Sequence, residues 1–365
     1  MKILHIAYSG LGGHGSVFFS MTDADHKNIN QYEALFYGVE EIRETYIKKS
    51  EDRSIVWYFV KKKPGADIAS YRAIVRIVKK SKPDILFLHG GCYIFPAWFA
   101  ALFSSAPIKI VVRETVPNHL KTKLDWAGLA FSLIVAKKTV FLSTEYRDAI
   151  KKKFPFIFSD KRTTVIPNGI DLNIFKPAHK TEPGCIRIGM QSRLSVTKDH
   201  STLIKAFKLL VQELPSAKNL WLCIAGDGDC RQELEKLAHD LLISDKVVFT
   251  GMLEETALPG FINSLDIYVH ATLGETMSTA IMQVMACRLP VIASDVLGVN
   301  NMIKHEENGL LVAPGNAEQL ATALRFLLNN PAIQTSYADT AYKFAINNYS
   351  NTRMLASYQS VFEEG

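Results

Sequence analysis

The chain has 365 residues, of which 48% are hydrophobic and 21% charged, with a net charge of +6. That length suits two domains of roughly 100–200 residues, each with its own core, and the composition excludes a disordered or collagen-like chain. Five cysteines (Cys92, Cys185, Cys223, Cys230, Cys287) show no C-x-x-C spacing, so a reduced, cytoplasmic protein without structural zinc is expected.

The opening Met1–Gly13 stretch is broken by glycine too early for a signal peptide and reads as a buried first strand. The longest apolar stretch, Leu124–Ala136, is too short to span a bilayer and carries Asp125. Further strands are predicted at Glu33–Tyr37, Ser54–Val60, Ile85–His89, Ile108–Val112, Thr139–Leu142 and Thr164–Ile166. Helical spacing falls on Tyr71–Lys80, Tyr93–Phe103, Leu120–Ala136 and Glu145–Lys153. Pro167–Pro183, with three prolines and no periodicity, is the expected seam. Beyond it, strands at Ile186–Ser192, Leu220–Ala225, Val247–Phe249, Ile267–Val269 and Pro290–Ala293 alternate with helices, among them Arg231–Ile243 and Ala280–Cys287. Such alternation means βαβ units and mostly parallel sheets. The expected architecture is α/β, two doubly wound lobes facing across a cleft, with ligands at the carboxyl ends of the strands.

Charge is unevenly spread. Residues 1–170 hold 26 Lys and Arg against 15 Asp and Glu, a balance of +11, whereas the remainder is at −5. The clusters Lys61–Lys63, Lys79–Lys82, Lys137–Lys138 and Lys151–Lys153 form either a solvated surface or a face toward phosphate or lipid headgroups.

Several strand ends in the second half carry chemistry. Arg193 and Lys198 lie five residues apart on one strand-to-helix loop, a spacing that lets two cations reach one diphosphate but equally suits two surface charges. Ala225-Gly226-Asp227-Gly228 is a tight turn where backbone can approach a ligand. His270 to Thr279 leads into a helix whose free N–H groups suit phosphate, with Ser278 or Thr279 as its N-cap. Glu275 stands before that helix in a loop where folding needs no carboxylate, and Gln283 lies one turn inside from Thr279.

These residues resemble a known family. Val165-Ile166-Pro167-Asn168-Gly169-Ile170-Asp171, Ser192-Arg193-Leu194 with Lys198, Ala225-Gly226-Asp227-Gly228, Phe249-Thr250-Gly251, Pro290 to Asp295 and Asn308 to Val312 are similar, in order, to motifs of the family 4 (group 1) retaining glycosyltransferases of GT-B fold. The first half matches loosely, through Gly12-Gly13 and Pro83-Asp84-Ile85. The resemblance implies an acceptor lobe over 1–167, a nucleotide-sugar lobe over 168–345, and a terminal helix within 346–365 returning toward the first lobe.

It also implies residue roles. Arg193 and Lys198 would hold the donor diphosphate and stabilise the departing charge, backbone around Met277, Ser278 and Thr279 would bind the same phosphates, and Glu275 would hydrogen-bond the donor sugar. Gly13 and Gly226 would border the nucleotide sugar, while Gly12 and Gly13 form the glycine loop that admits the acceptor. The family's second glutamate, which grips the nucleotide ribose, is replaced by Gln283, which can still accept and donate but is neutral. A histidine common after the strand at Ile108–Val112 is replaced by Arg113-Glu114-Thr115, leaving His89, Glu114 and His119 as acceptor-side candidates.

The implied activity is transfer of a hexose or N-acetylhexosamine from a nucleotide-diphosphate sugar, UDP-linked, to a saccharide or lipid-linked acceptor in surface polysaccharide or lipopolysaccharide synthesis. The implied mechanism is front-face displacement with retention. No DxD triplet of the metal-dependent type is recognised, so neither metal nor other cofactor is expected, nor is nucleic acid. The alternatives are a nucleotide-sugar epimerase or glycan phosphorylase on the same scaffold, or a non-catalytic binding subunit. The basic first half and the aromatic-cationic stretches Leu120–Lys138 and Lys151–Phe158 suggest peripheral binding at the inner face of the cell membrane.

Overall fold

A computed structural model describes residues 1–10, 13–64, 67–178, 184–213 and 219–364. The chain forms two compact units, one of Met1–Gly169 with Asn351–Gly365, the other of Ile170–Ser350. Among the described residues, no helix is long and apolar enough to cross a membrane.

The first unit holds β1 (Lys2–Ala7), β2 (Gln31–Gly38), β3 (Val56–Lys61), β4 (Ile85–Leu88), β5 (Lys109–Arg113), β6 (Lys138–Phe141) and β7 (Thr163–Val165). They form a parallel sheet of order β3-β2-β1-β4-β5-β6-β7. Its helices are α1 (Gly13–Ala24), α2 (Glu44–Asp52), α3 (Ile68–Ser81), α4 (Ile94–Leu102), α5 (Lys123–Val135) and α6 (Thr144–Lys153). Helices cover both faces, which is why β4 is wholly apolar and β1 is buried from Ile3 to Ala7 instead of alternating.

The periodicity missed α1 and α2. The first begins at Gly13, the second residue of the glycine pair, and the second is too polar to show a stripe. The helix expected from Leu120 begins at Lys123, because Thr122 and Asp125 form a reciprocal capping box that fixes the start there. At its other end, α3 stops at the left-handed Lys82 that precedes Pro83.

In the second unit β8 (Ile186–Gln191), β9 (Leu220–Ala225), β10 (Val247–Gly251), β11 (Ile267–His270), β12 (Val291–Ser294) and β13 (Leu310–Val312) run in the order β10-β9-β8-β11-β12-β13, all parallel. The helices are α7 (His200–Glu213), α8 (Arg231–Asp240), α9 (Leu258–Asn263), α10 (Thr279–Ala286), α11 (Ala317–Asn329) and α12 (Pro331–Asn348). Helix α8 ends three residues short of the predicted Ile243: Leu242 turns left-handed, and Ile243 folds back to bond the Ala238 carbonyl and bury its side chain. The last helix, α13 (Asn351–Glu363), belongs to the first unit, where Met354, Tyr358, Val361 and Phe362 pack with Ile3, Val17, Phe87 and Val111. In both sheets the strand order reverses direction beside the first strand, the place where doubly wound folds seat ligands.

Candidate active site

In the second unit the reversal lies between β8 and β11, and the loops after these strands carry Arg193 and Lys198 on one side and Glu275 on the other. The two loops are laced by backbone and hydroxyl hydrogen bonds. The Leu273 N–H donates to the Thr197 carbonyl at 2.9 Å, the Thr272 hydroxyl donates to the same oxygen at 3.1 Å, and the Thr272 N–H is held by Ser294 Oγ at 3.0 Å. Behind the first loop, Gly226 has φ +137°, and a Cβ there would lie 1.9 Å from the Ser192 carbonyl oxygen. Only glycine lets the turn after β9 support this loop so closely.

Lacing brings Lys198 Nζ against Glu275 Oε2 in a half-buried ion pair. His270, fully buried at the end of β11, places Nε2 3.4 Å from the same carboxylate oxygen, and its Nδ1 lies 3.4 Å from the Tyr268 hydroxyl. Burial alone pushes the Glu275 carboxyl up, but the Lys198 charge and the His270 contact outweigh it and bring it down to about 2. Burial lowers His270 below its ordinary value, only partly opposed by Glu275. Near neutral pH the cluster is therefore an ionised carboxylate between an ammonium and a neutral imidazole. Gly298, at φ +91°, packs behind it: a Cβ would fall 2.4 Å from the Glu275 carbonyl oxygen and 2.6 Å from that of Thr276.

Helix α10 follows directly. Ser278 is its N-cap, accepting from the Ile281 N–H at 3.3 Å, with buried Met277 before it and Thr279 as the first helical residue. Its unpaired N–H groups give this end the positive character that suits phosphate. One turn in, Gln283 Oε1 accepts from Gln191 Nε2 at 2.5 Å, and the Gln191 carbonyl accepts from Tyr268 at 3.2 Å. Arg193 stands outside the Lys198–Glu275 contact: its guanidinium is exposed and faces Asp229 at 3.5 Å. His270, Gln191 and Gly298 carried no role in the sequence reading. His270 directly follows the strand predicted at Ile267–Val269 and Gln191 is the penultimate residue of that at Ile186–Ser192, and that position was the available signal.

Among the acceptor-side candidates of the first unit, His89 and Glu114 have separate hydrogen-bond partners. Gly12 falls outside the described residues, whereas Gly13 opens α1 with space around it. His89, just beyond β4, is fully buried with Nε2 3.0 Å from His5 Nδ1. Glu114 is buried against Lys121 at 3.2 Å and accepts from the Tyr146 hydroxyl at 3.3 Å; its carboxyl is raised by burial, with Lys121 opposing. His119 sits exposed on a short 3-10 turn. Arg113 is buried too, bonded to Asn168 of the Val165–Asp171 motif. His14, near the start of α1, contacts Thr115 at 3.1 Å, a neighbour the sequence did not reveal.

Residues 173–344 match the family model for glycosyl transferases group 1, and residues 32–174 match that for glycosyltransferase family 4. An uncharacterised glycosyltransferase of Methanocaldococcus jannaschii is 28% identical over 212 residues, 55% of this chain and 54% of that protein, so the chain spans about half the length of this relative. The UDP-Gal:α-D-GlcNAc-diphosphoundecaprenol α-1,3-galactosyltransferase of Escherichia coli is 22% identical over 71% of this chain and 70% of its own. Among solved structures, Anabaena HepE in complex with UDP and glucose superposes with a TM-score of 0.84 over 100% of both chains at 18% identity, a likeness of fold. The two Rossmann-like units are the GT-B architecture that the motifs implied, and with both family models matched in sequence along it the chain belongs to the family 4, group 1 glycosyltransferases.

Proposed function

We propose that this glycosyltransferase moves a hexose or N-acetylhexosamine from a UDP-sugar to a glycan or lipid-linked acceptor of surface polysaccharide synthesis, with retention of anomeric configuration. The observation that carries the reading is the Lys198–Glu275–His270 cluster at the reversal between β8 and β11, directly before the α10 N-terminus. An ionised carboxylate held in a half-buried site accepts hydrogen bonds from sugar hydroxyls. The adjacent ammonium and helix end suit a diphosphate. Arg193, exposed on the same loop, adds a second cation on swinging away from Asp229.

In the reaction, the bond between the anomeric carbon and the diphosphate oxygen breaks while the acceptor oxygen bonds to the same face of that carbon. The acceptor proton passes to the departing phosphate, and Lys198, Arg193 and the helix end carry the charge left on UDP. The donor is a substrate, and this reading requires no cofactor. Anabaena HepE was solved with UDP and with UDP-glucose, and the Escherichia coli relative is named for a UDP-galactose donor and a diphosphoundecaprenol-linked acceptor; both support the assignment. The site is expected in the cytoplasm, with the protein peripheral on the inner face of the membrane. Phe156 is fully exposed beside Lys151–Lys153, although Lys151 is bonded to Asp160 at 2.8 Å and Lys153 lies 4.3 Å from the Trp126 ring.

The test is a thermal-shift panel of nucleoside diphosphates and nucleotide sugars. UDP or a UDP-sugar at 100 times its dissociation constant should stabilise the protein by about 2.7 kcal/mol. A panel in which no nucleotide shifts the transition would remove the reading. Flotation with anionic vesicles at low and moderate salt tests the membrane assignment, and protein that stays at the bottom in both would refute it.

A further inference from the structure

The first unit contains a groove of about 510 Å³ lined by none of the donor- or acceptor-site residues that the motifs implied, although Lys62 belongs to the basic cluster Lys61–Lys63 and Leu124 to the stretch Leu120–Lys138. It lies at the carboxyl ends of the central strands: Tyr8 follows β1, Tyr37 is near the end of β2, Lys62 follows β3, and Tyr93 comes soon after β4. Doubly wound sheets seat ligands at this edge. Tyr71 and Phe95 complete its aromatic walls.

The lining narrows the occupant. Lys62 is the one charged residue among the lining residues, and no Asp, Glu, Asn, Gln or His is among them. A sugar ring is usually gripped by carboxylates and amides that bracket neighbouring hydroxyls, and this groove offers none. It offers apolar surface and a single cation. From Phe95 the apolar surface continues outward along α4, where Trp98, Phe99 and Leu102 follow at i+3, i+4 and i+7, with Phe103 next. These four are 36%, 38%, 58% and 51% exposed, an aromatic stripe that costs solubility unless something covers it. Lys79 sits 5.9 Å from the Phe103 ring, so the stripe is edged by positive charge as well.

The geometry points to a subsite for a prenyl phosphate, the carrier portion of a lipid-linked acceptor. Its phosphate meets Lys62 and its chain runs past Phe95 onto Trp98, Phe99 and Leu102. Charge and shape agree on this occupant: an anionic head with a long apolar tail matches one cation of the lining at the head of an apolar stripe. The inference rests on the glycosyltransferase reading above, since it identifies part of the acceptor that reading requires.

The probe is farnesyl phosphate, titrated calorimetrically into the full chain below its micellar concentration, with farnesol and inorganic phosphate as separate arms. Farnesyl phosphate should bind saturably and at least about tenfold more tightly than either fragment. Lys62→Gln should weaken it by about tenfold while leaving farnesol unchanged, and Phe99→Ser, at an exposed position that the fold tolerates, should weaken farnesyl phosphate and farnesol alike. Lys236→Gln, on α8 of the other unit, should change nothing. If farnesyl phosphate binds no better than farnesol, or if both Lys62→Gln and Phe99→Ser bind as the wild type does, the subsite is wrong. UDP titrated into the same samples separates the two ideas. Binding of UDP without farnesyl phosphate overturns the subsite alone, and binding of farnesyl phosphate without UDP overturns the donor reading alone.

Discussion

Gln191 and Gln283, ninety-two residues apart in sequence, meet side chain to side chain, with Nε2 of the first donating to Oε1 of the second at 2.5 Å. This neutral pair stands where the family motif leads to a glutamate. The contact occupies the Gln283 carbonyl and leaves its N–H₂ group to donate. Gln283→Ala should therefore raise the donor KM several-fold with little change in kcat, the pattern of lost uniform binding. Gln283→Glu should be tolerated, because Gln191 can donate to a carboxylate as well as to an amide. Abolished activity in Gln283→Glu, measured with saturating donor, would mean that the site has been rebuilt around the amide.

Lys198→Ala, Arg193→Ala and Glu275→Ala should each lower turnover by about 10²–10³, as expected when a group that stabilises developing charge or positions the sugar is removed. Their effects on stability should differ. Lys198 is half-buried against Glu275, so its loss strands a carboxylate and should cost about 1–3 kcal/mol. The exposed Arg193 should leave Tm unchanged. Equal melting temperatures for the two variants would show that the pair contributes nothing.

Two groups of residues set the acid response. His5 and His14 are lowered to about 3 and His200 to about 4, by burial above all, from an ordinary 6.5. The unfolded chain binds more protons there, so stability should fall as pH drops below 6.5 toward these values. Glu275 is lowered from 4.5 to about 2, so its contribution is complete above pH 4.5 and is lost between 4.5 and 2. Plots of Tm against pH for wild type and Glu275→Gln should run parallel from pH 6.5 to 4.5 and converge below. Parallel curves throughout would show that Glu275 is not held ionised by Lys198.

Gly298→Ala tests the packing behind the loop that carries Glu275. Its left-handed φ and the 2.4 Å approach to the Glu275 carbonyl oxygen leave no room for a methyl group. We expect a loss of about 1–3 kcal/mol together with reduced turnover, because Glu275 must shift. Full activity with an unchanged Tm would mean that the loop gives way freely.

The parallel sheets were legible because strands buried on both faces read as short apolar runs and most of the helices between them keep a regular stripe. Helix α1 was not, since its glycine-rich start hides the period and its buried face is nearly continuous. In the site, Glu275 was legible as a carboxylate without a folding role, and Arg193 and Lys198 through their motif. The partners of Glu275 were not, because Lys198 lies 77 residues away and is joined to it by backbone lacing through Thr197, Thr272 and Leu273. The tyrosine groove was invisible for the same reason: Tyr8, Tyr37, Tyr71 and Tyr93 come from four separate segments that only the sheet brings together.

Retention at the anomeric carbon, with the bond to UDP as the one broken, is the central claim, and proton NMR of slow donor hydrolysis tests it most directly. Wild-type protein is incubated with UDP-α-glucose, UDP-α-galactose or UDP-α-N-acetylglucosamine without acceptor, and spectra are taken before mutarotation. At least one donor should release UDP together with the α-anomer of its sugar, and Lys198→Ala should slow that release by about 10²–10³. First appearance of the β-anomer, or epimerisation of the donor sugar with no UDP released, would contradict the account.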